Sequence, residues 1–171
     1  MSKSTPSRPL IVKAKRTFHI VASRFNAEYV DGLVDHVTEE LHKLVPNGVI
    51  SVHRVPGSFE IPVVAREVAI QNEADAIIAC GVILQGETDH AQNLSRSVTD
   101  ALQRVAIENG VPVINVVLSF GNEMQARERC LENQINRGTE AARAAVEIAN
   151  VLSDVRGKQG AAVSRSRRHN G

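Results

Sequence analysis

Four short β-rich runs punctuate the chain: Thr17 to Ala22, Val49 to Val55, Ala76 to Leu84 and Val113 to Leu118, each bounded by Pro, Gly, Asn or charged residues. Between them the apolar residues switch to helical spacing. Val30, Val34, Val37, Leu41 and Leu44 make one stripe, interleaved with Asp31, Asp35, Glu39 and Glu40, and Pro46-Asn47-Gly48 stops it. A second helix starts near Glu60, because Pro62 is tolerated only in a first turn. Leu94, Val98, Ala101, Leu102 and Val105 stripe a third helix that Gly110 closes. A helical patch around Gln125 to Cys130 and an Ala-rich helix from about Thr139 to Leu152 follow the last strand. Short, largely apolar strands that alternate with helices predict a parallel sheet covered on both faces: an α/β three-layer sandwich built on a mainly four-stranded parallel sheet flanked by helices.

The ends of the chain read differently from its body. Residues 1–16 carry Lys3, Arg8, Lys13, Lys15 and Arg16 and no acid, and residues 156–171 carry Arg156, Lys158, Arg165, Arg167 and Arg168. All 19 acidic residues therefore lie between Glu28 and Asp154, so the body is net −9 while the ends together are +10. These stretches, rich in Ser, Pro, Gly and Arg, are expected to be solvated basic tails around a single domain at 17–155. With 3% aromatic residues and no Trp, the chain lacks the rings for a single-stranded nucleic-acid platform, so nucleic acid is an unfavoured partner. Two cysteines, Cys80 and Cys130, with no CxxC pair, exclude a disulfide scaffold and a cysteine-rich zinc module. The sequence contains no apolar run of membrane-spanning length and no signal-peptide h-region, which sets the expectation of a cytoplasmic protein without a membrane partner.

Ligands of open parallel sheets bind beyond the carboxyl ends of the strands. Four segments occupy that position: Ser23-Arg24-Phe25-Asn26, Pro56-Gly57-Ser58-Phe59-Glu60, Gln85-Gly86-Glu87-Thr88-Asp89-His90 and Ser119-Phe120-Gly121-Asn122. Phe25 either anchors the first helix or offers its ring to a ligand. Ser58, Phe59 and Glu60 bring backbone amides, a ring and a carboxylate to one helix start, a set suited to a polyhydroxylated ligand, although Pro56-Gly57 also reads simply as a turn. In the third segment Gly86 admits close approach, and the amides of Glu87 and Thr88 would point outward at the start of a helix beginning near His90, a geometry that accepts phosphate. His90 is either a helix cap or a proton carrier at neutral pH. The other histidines lie in strands (His19, His53), in an amphipathic helix (His36, His42) or in a tail (His169). No spacing suggests a metal, and neither GxGxxG nor GxxxxGK[ST] occurs.

Taken in order, these segments resemble one family, the 6,7-dimethyl-8-ribityllumazine synthases of riboflavin synthesis. The likeness spans roughly residues 17–153. SRFN at 23–26, VPGSFEIP at 55–62 and GVILQGETDH at 81–90 are similar to the family's first three strand-end motifs. VPVINVVLS at 111–119 is similar to its fourth strand, and QARERC with NRGTEAA, starting at Gln125 and Asn136, to its terminal segment. The resemblance implies the lumazine synthase fold, flavodoxin-like in appearance. It also implies condensation of 5-amino-6-(D-ribitylamino)uracil with 3,4-dihydroxy-2-butanone 4-phosphate, releasing phosphate and water, with no metal and no organic cofactor.

Carried onto matching positions, the resemblance makes Phe25 a stacking platform for the pyrimidinedione, with Ser58, Phe59 and Glu60 holding that substrate and Glu60 on its ribityl hydroxyls. The backbone of Val82, Ile83 and Leu84 would read the polar edge of the ring. Glu87 and Thr88 would cradle the phosphate, Arg129 would pair with it, and His90 would shuttle protons. Asn115 and Arg137 complete the implied substrate-binding set. Four places depart from the commonest pattern: Gln85 stands where Arg is frequent, Asn115 where an aromatic is, Arg137 where Lys is, and Gly121-Asn122 where a Thr-Asp-Thr run is. The implied assembly is a pentamer whose sites lie between subunits, with Asn115, Arg129 and Arg137 coming from the neighbour. A closed sixty-subunit shell is sterically allowed because residues 129–138 carry no insertion, and riboflavin synthase is the implied protein partner. Two competing readings are an archaeal-type riboflavin synthase of the same fold and a noncatalytic flavin or lumazine binder.

Overall fold

The computed structural model describes residues 7–10, 15–86 and 90–168. Strand β1 (Thr17–Ser23) leads through helix α1 (Ala27–Leu44) to β2 (Val49–Val55). A single 3-10 turn at Ser58–Glu60 then runs into α2 (Ile61–Gln71), followed by β3 (Ala76–Leu84), α3 (His90–Asn109), β4 (Val113–Phe120), α4 (Glu123–Cys130) and α5 (Arg137–Arg168). All four strands are parallel, in the order β2-β1-β3-β4. The four expected strands and the three-layer arrangement are thus present.

Alternation along each strand sorts the core into two halves. Phe18, Ile20 and Ala22 of β1 and Ile78, Cys80 and Val82 of β3 pack against the stripe of α1 and against α4 and α5. Val21, Ile77, Ala79 and Ile83 face the opposite way, onto α2 and α3. The eight residues Ala76–Ile83 of β3 are all buried, which explains why that run shows no polar alternation in the sequence. Burial pushes the thiols of Cys80 and Cys130 up to about 12. Gly81 has a specific steric role: a Cβ there would stand 2.6 Å from Ser58 Oγ, so a larger residue would displace the Ser58 side chain from where the 3-10 turn meets β3. Gly110 ends α3 at φ 65°, the left-handed conformation that a C-terminal glycine supplies.

The last helix differs from expectation. It does not stop near Leu152 but continues to Arg168. No proline follows Leu152 to interrupt it, and Gly157 sits in open space without a turn being formed there. Three of the cations assigned to solvated tails are in fact engaged with the body. Arg156 donates to the carbonyl of Gly110 at 2.6 Å, tying α5 to the end of α3. Arg16 pairs with Asp75 at 2.9 Å and donates to Asn150 at 3.3 Å. Arg8 lies 3.4 Å from Glu40, a buried carboxylate that Arg143 also holds at 2.9 Å. Charge counting along the sequence could not see these partners because each lies at least 32 residues away.

On the α2 side of the sheet, His19 Nδ1 and His53 Nε2 approach to 2.9 Å across β1 and β2, with the two rings parallel and their centroids 5.2 Å apart.

Candidate active site

The connections explain where a site can form. From β1 the chain crosses to β2 on one side of the sheet, whereas from β3 it crosses to β4 on the other. The carboxyl ends of β1 and β3 therefore diverge, and a crevice opens at that switch point. It holds a cavity of about 680 Å³, within the range of small-molecule sites. Its walls come from three of the four segments singled out above. Phe25 and Asn26 follow β1, Gly57, Ser58 and Phe59 follow β2, and Val82, Ile83, Leu84 and Gly86 end β3, with His90, Ala91 and Leu94 from the first turns of α3.

Each wall is fixed by bonds that reach across the sheet end. Arg24 N donates to Val55 O at 2.8 Å and Phe25 N to Pro56 O at 3.2 Å, which binds the loop after β1 to the loop after β2. Asn26 takes the left-handed conformation at φ 55°, which Asn tolerates better than most residues. Its amide does not cap α1. It donates instead to Val82 O at 2.8 Å. The β1–β3 pairing ends at Ala22–Cys80, so this amide serves a β3 carbonyl just beyond the point where β1 turns away. The result leaves the Phe25 ring 71% exposed and the Phe59 ring 66% exposed at the rim. Two large rings held toward solvent by a rigid backbone are an unfinished apolar surface, suited to a flat ligand.

Of the expected site residues, Phe25, Ser58, Phe59, Val82, Ile83, Leu84 and His90 meet in this one cavity. Glu60 stands beside it with one carboxylate oxygen already used, since Oε2 accepts from Gly57 N at 2.8 Å and closes the turn that presents Ser58 and Phe59. Glu87 and Thr88 lie outside the described residues. The remaining three do not join the cavity of their own chain. Asn115 is exposed on β4, where its amide donates to Thr99 Oγ1 at 3.0 Å and its oxygen accepts from Val117 N at 2.9 Å. Both of its polar ends are thus used within the subunit. Arg137 opens α5 and pairs with Glu140. Arg129, near the end of α4, is half-buried; its Nη1 is enclosed and, among the described residues, lacks an acceptor. A buried guanidinium nitrogen without a partner is costly unless something binds it.

Sequence reasoning gave no role to Asn26 or Gly81. The signal for Asn26 was its place directly after a strand and a ring, and for Gly81 a glycine inside an otherwise unbroken apolar strand.

The profile of the family described as 6,7-dimethyl-8-ribityllumazine synthase matches residues 15–153. The chain belongs to the lumazine synthase family. A relative from Azoarcus sp. (strain BH72), named 6,7-dimethyl-8-ribityllumazine synthase, is 40% identical over 134 residues, covering 78% of this chain and 83% of its own. The lumazine synthase of Paraburkholderia phymatum is 40% identical over 133 residues, 77% of this chain and 75% of its own. That of Halorhodospira halophila is 37% identical over 144 residues, 84% of this chain and 92% of its own. The lumazine synthase match covers all four strands and every residue discussed as part of the cavity.

Proposed function

We propose that this chain is a transferase of riboflavin biosynthesis that makes 6,7-dimethyl-8-ribityllumazine from 5-amino-6-(D-ribitylamino)uracil and 3,4-dihydroxy-2-butanone 4-phosphate. The observation that carries the reading is the convergence of Phe25, Phe59, Ser58 and His90 on one cavity at the sheet's switch point, in a chain of this family. The 5-amino group adds to the ketone and loses water to give an imine. Phosphate is then eliminated, and the ribitylamino nitrogen closes the second ring with loss of a second water. Each step moves protons and none needs a protein nucleophile. Holding the two substrates together supplies much of the acceleration, and His90 at the cavity wall supplies proton transfer. Phe25 stacks on the pyrimidinedione, and the second oxygen of Glu60 accepts from the ribityl chain.

The site is shared between subunits in this reading. Support comes from the cavity itself: no Arg or Lys lines it among the described residues, although one substrate carries a phosphate. Arg129 of a neighbouring copy supplies the missing cation, with Arg137 beside it, and Glu87 and Thr88 supply amides. Helix α3 adds a second support. It presents Arg96, Asp100, Arg104 and Glu108 four residues apart and alternating in sign, on a groove of about 730 Å³ shared with α2, and none forms an ion pair among the described residues. Charges left without ion pairs inside the subunit are available to groups on a neighbouring copy. We assign the assembly as a pentamer able to close into a shell, in the cytoplasm, with riboflavin synthase consuming the product.

Incubation with both substrates and measurement of lumazine absorbance tests the activity; no lumazine formed would overturn it, and riboflavin formed from lumazine alone would establish the riboflavin synthase alternative. Sedimentation reads the size of the particle. Subunits carrying Arg129→Ser, mixed and reassembled with subunits carrying His90→Ala, should regain activity that neither has alone. Absence of recovery in rings shown to be mixed would refute the shared site.

A further inference from the structure

Helix α4 is eight residues long and buries only Ala126 and Cys130. A helix so short does not hold its own shape in water: Ala126 and Cys130 seat it on the core, and the capping of its first turn sets how firmly its exposed face is held. Here the first turn is locked from both directions. Asn122 Oδ1 accepts from Gln125 N at 3.0 Å, and Gln125 Oε1 reaches back to accept from Gly121 N at 3.0 Å. This is the reciprocal logic of a capping box with its return arm set one residue earlier. That offset has a consequence. The residue before Gly121 is Phe120, whose carbonyl accepts from Gln85 N at 2.8 Å, so the lock fastens α4 to the loop that follows β3.

One turn beyond Gln125, on the same helical face, stands Arg129. Its Nη1 is enclosed and lacks an acceptor among the described residues, and its Nη2 is 3.7 Å from Glu128. The helix therefore carries a closed polar lock at one end and a guanidinium with donor capacity to spare at the other. We propose that Asn122 and Gln125 are positioning residues for Arg129, so that the phosphate affinity of the site is set at the far end of α4. The proposal rests on the reading of Arg129 as the phosphate ligand. Losing either arm lets the first turn fray and spreads Arg129 over positions that no longer meet the phosphate.

The test uses the full-length protein, the four single variants Asn122→Ala, Gln125→Ala, Asn122→Ser and Arg129→Ser, and the double variant Asn122→Ala with Arg129→Ser. The alanine variants should raise the KM for the butanone phosphate, and the inhibition constant of inorganic phosphate, by about tenfold, the size of a lost cap expressed as an equilibrium constant. The KM for the uracil substrate should stay within twofold of the parent. Asn122→Ser keeps an acceptor at the cap and should restore the parent values. Adding Asn122→Ala to Arg129→Ser should change little further, because both act on one contact. Alanine variants that melt earlier but keep both KM values would show a lock with a structural role alone, and would overturn the inference. So would additive effects in the double variant. If Arg129→Ser raises the phosphate KM and the lock variants do not, this inference falls while the site reading stands. If Arg129→Ser leaves that constant unchanged, the phosphate reading falls and the inference falls with it.

Discussion

The two ends of the sheet are built to opposite rules. At the amino end most polar groups are paired with one another, although Arg16 Nε is enclosed and lacks an acceptor among the described residues. Asp75 accepts from Arg16 at 2.9 Å and from Thr17 N at 2.8 Å, and its own N–H reaches Thr17 O at 2.8 Å. Val49 N donates to Arg16 O and Ile77 N to Pro112 O, both at 2.8 Å. At the carboxyl end, two phenyl rings stand out in solvent, and the enclosed Nη1 of Arg129 has no acceptor among the described residues. A parallel sheet aligns all its strand ends in one sense, so holding and binding can be separated spatially, each at its own edge. What separates the two ends is the exposed phenyl rings, which stand only at the carboxyl edge, where open parallel sheets take their ligands.

That contrast can be broken by substitution. At the carboxyl edge, His90→Ala should lower kcat by roughly one to three orders of magnitude while the thermal midpoint stays put, because the imidazole is exposed at the start of α3 and supports no core contact. An unchanged rate would remove His90 from the chemistry. Phe25→Ala should raise the KM for the uracil substrate by about tenfold, the worth of a stacking ring, again with little change in melting. A change confined to the phosphate substrate would place the ring wrongly.

At the amino edge the pattern should invert. Asp75→Ala removes an ion pair and a backbone acceptor from a half-buried position, and should cost about 1–3 kcal/mol in denaturant unfolding with both KM values intact. Loss of substrate affinity without loss of stability would erase the distinction between the two ends.

The smallest effect concerns pH. Burial, then the nearby charge of His53, holds the His19 imidazole below its ordinary value, with Glu73 opposing. A histidine whose folded pKa lies below its unfolded value contributes stability that is present above about pH 6.5 and is lost as the pH falls, since the unfolded chain then binds more protons. The hydrogen bond to His53 adds to this, because two protonated rings cannot share it. Unfolding followed from pH 8 to pH 5 should show a shallow decline that flattens in His19→Gln. An identical slope in that variant would locate the acid sensitivity elsewhere.

Much of this arrangement was legible before any coordinates. The strands were readable because β3 is buried on both faces and its run of Ala76 to Leu84 holds no polar side chain, whereas the switch point between β1 and β3 became visible only with the strand order. Phe25, Ser58, Phe59 and His90 were found because they directly follow strands or open helices. What escaped was everything that depends on a distant partner. Nothing near Asn26 announces that its amide will meet Val82, 56 residues on, and Arg16 and Arg156 look like tail charges until Asp75 and Gly110 come into view. The partners of Asn115 were equally hidden, its amide donating to Thr99 and its oxygen accepting from Val117 N.

The two thiols offer a clock. Cys80 lies in the central strand and Cys130 at the end of α4, both enclosed and both with their ionisation pushed up to about 12, so almost no thiolate exists at neutral pH. An alkylating reagent added to the native protein finds nothing to attack until the layers around the sheet part. The pace at which the two sites are labelled therefore counts openings of the folded state, and because one thiol sits at the centre of the sheet and the other on a short peripheral helix, the order in which they react tells which layer lifts first.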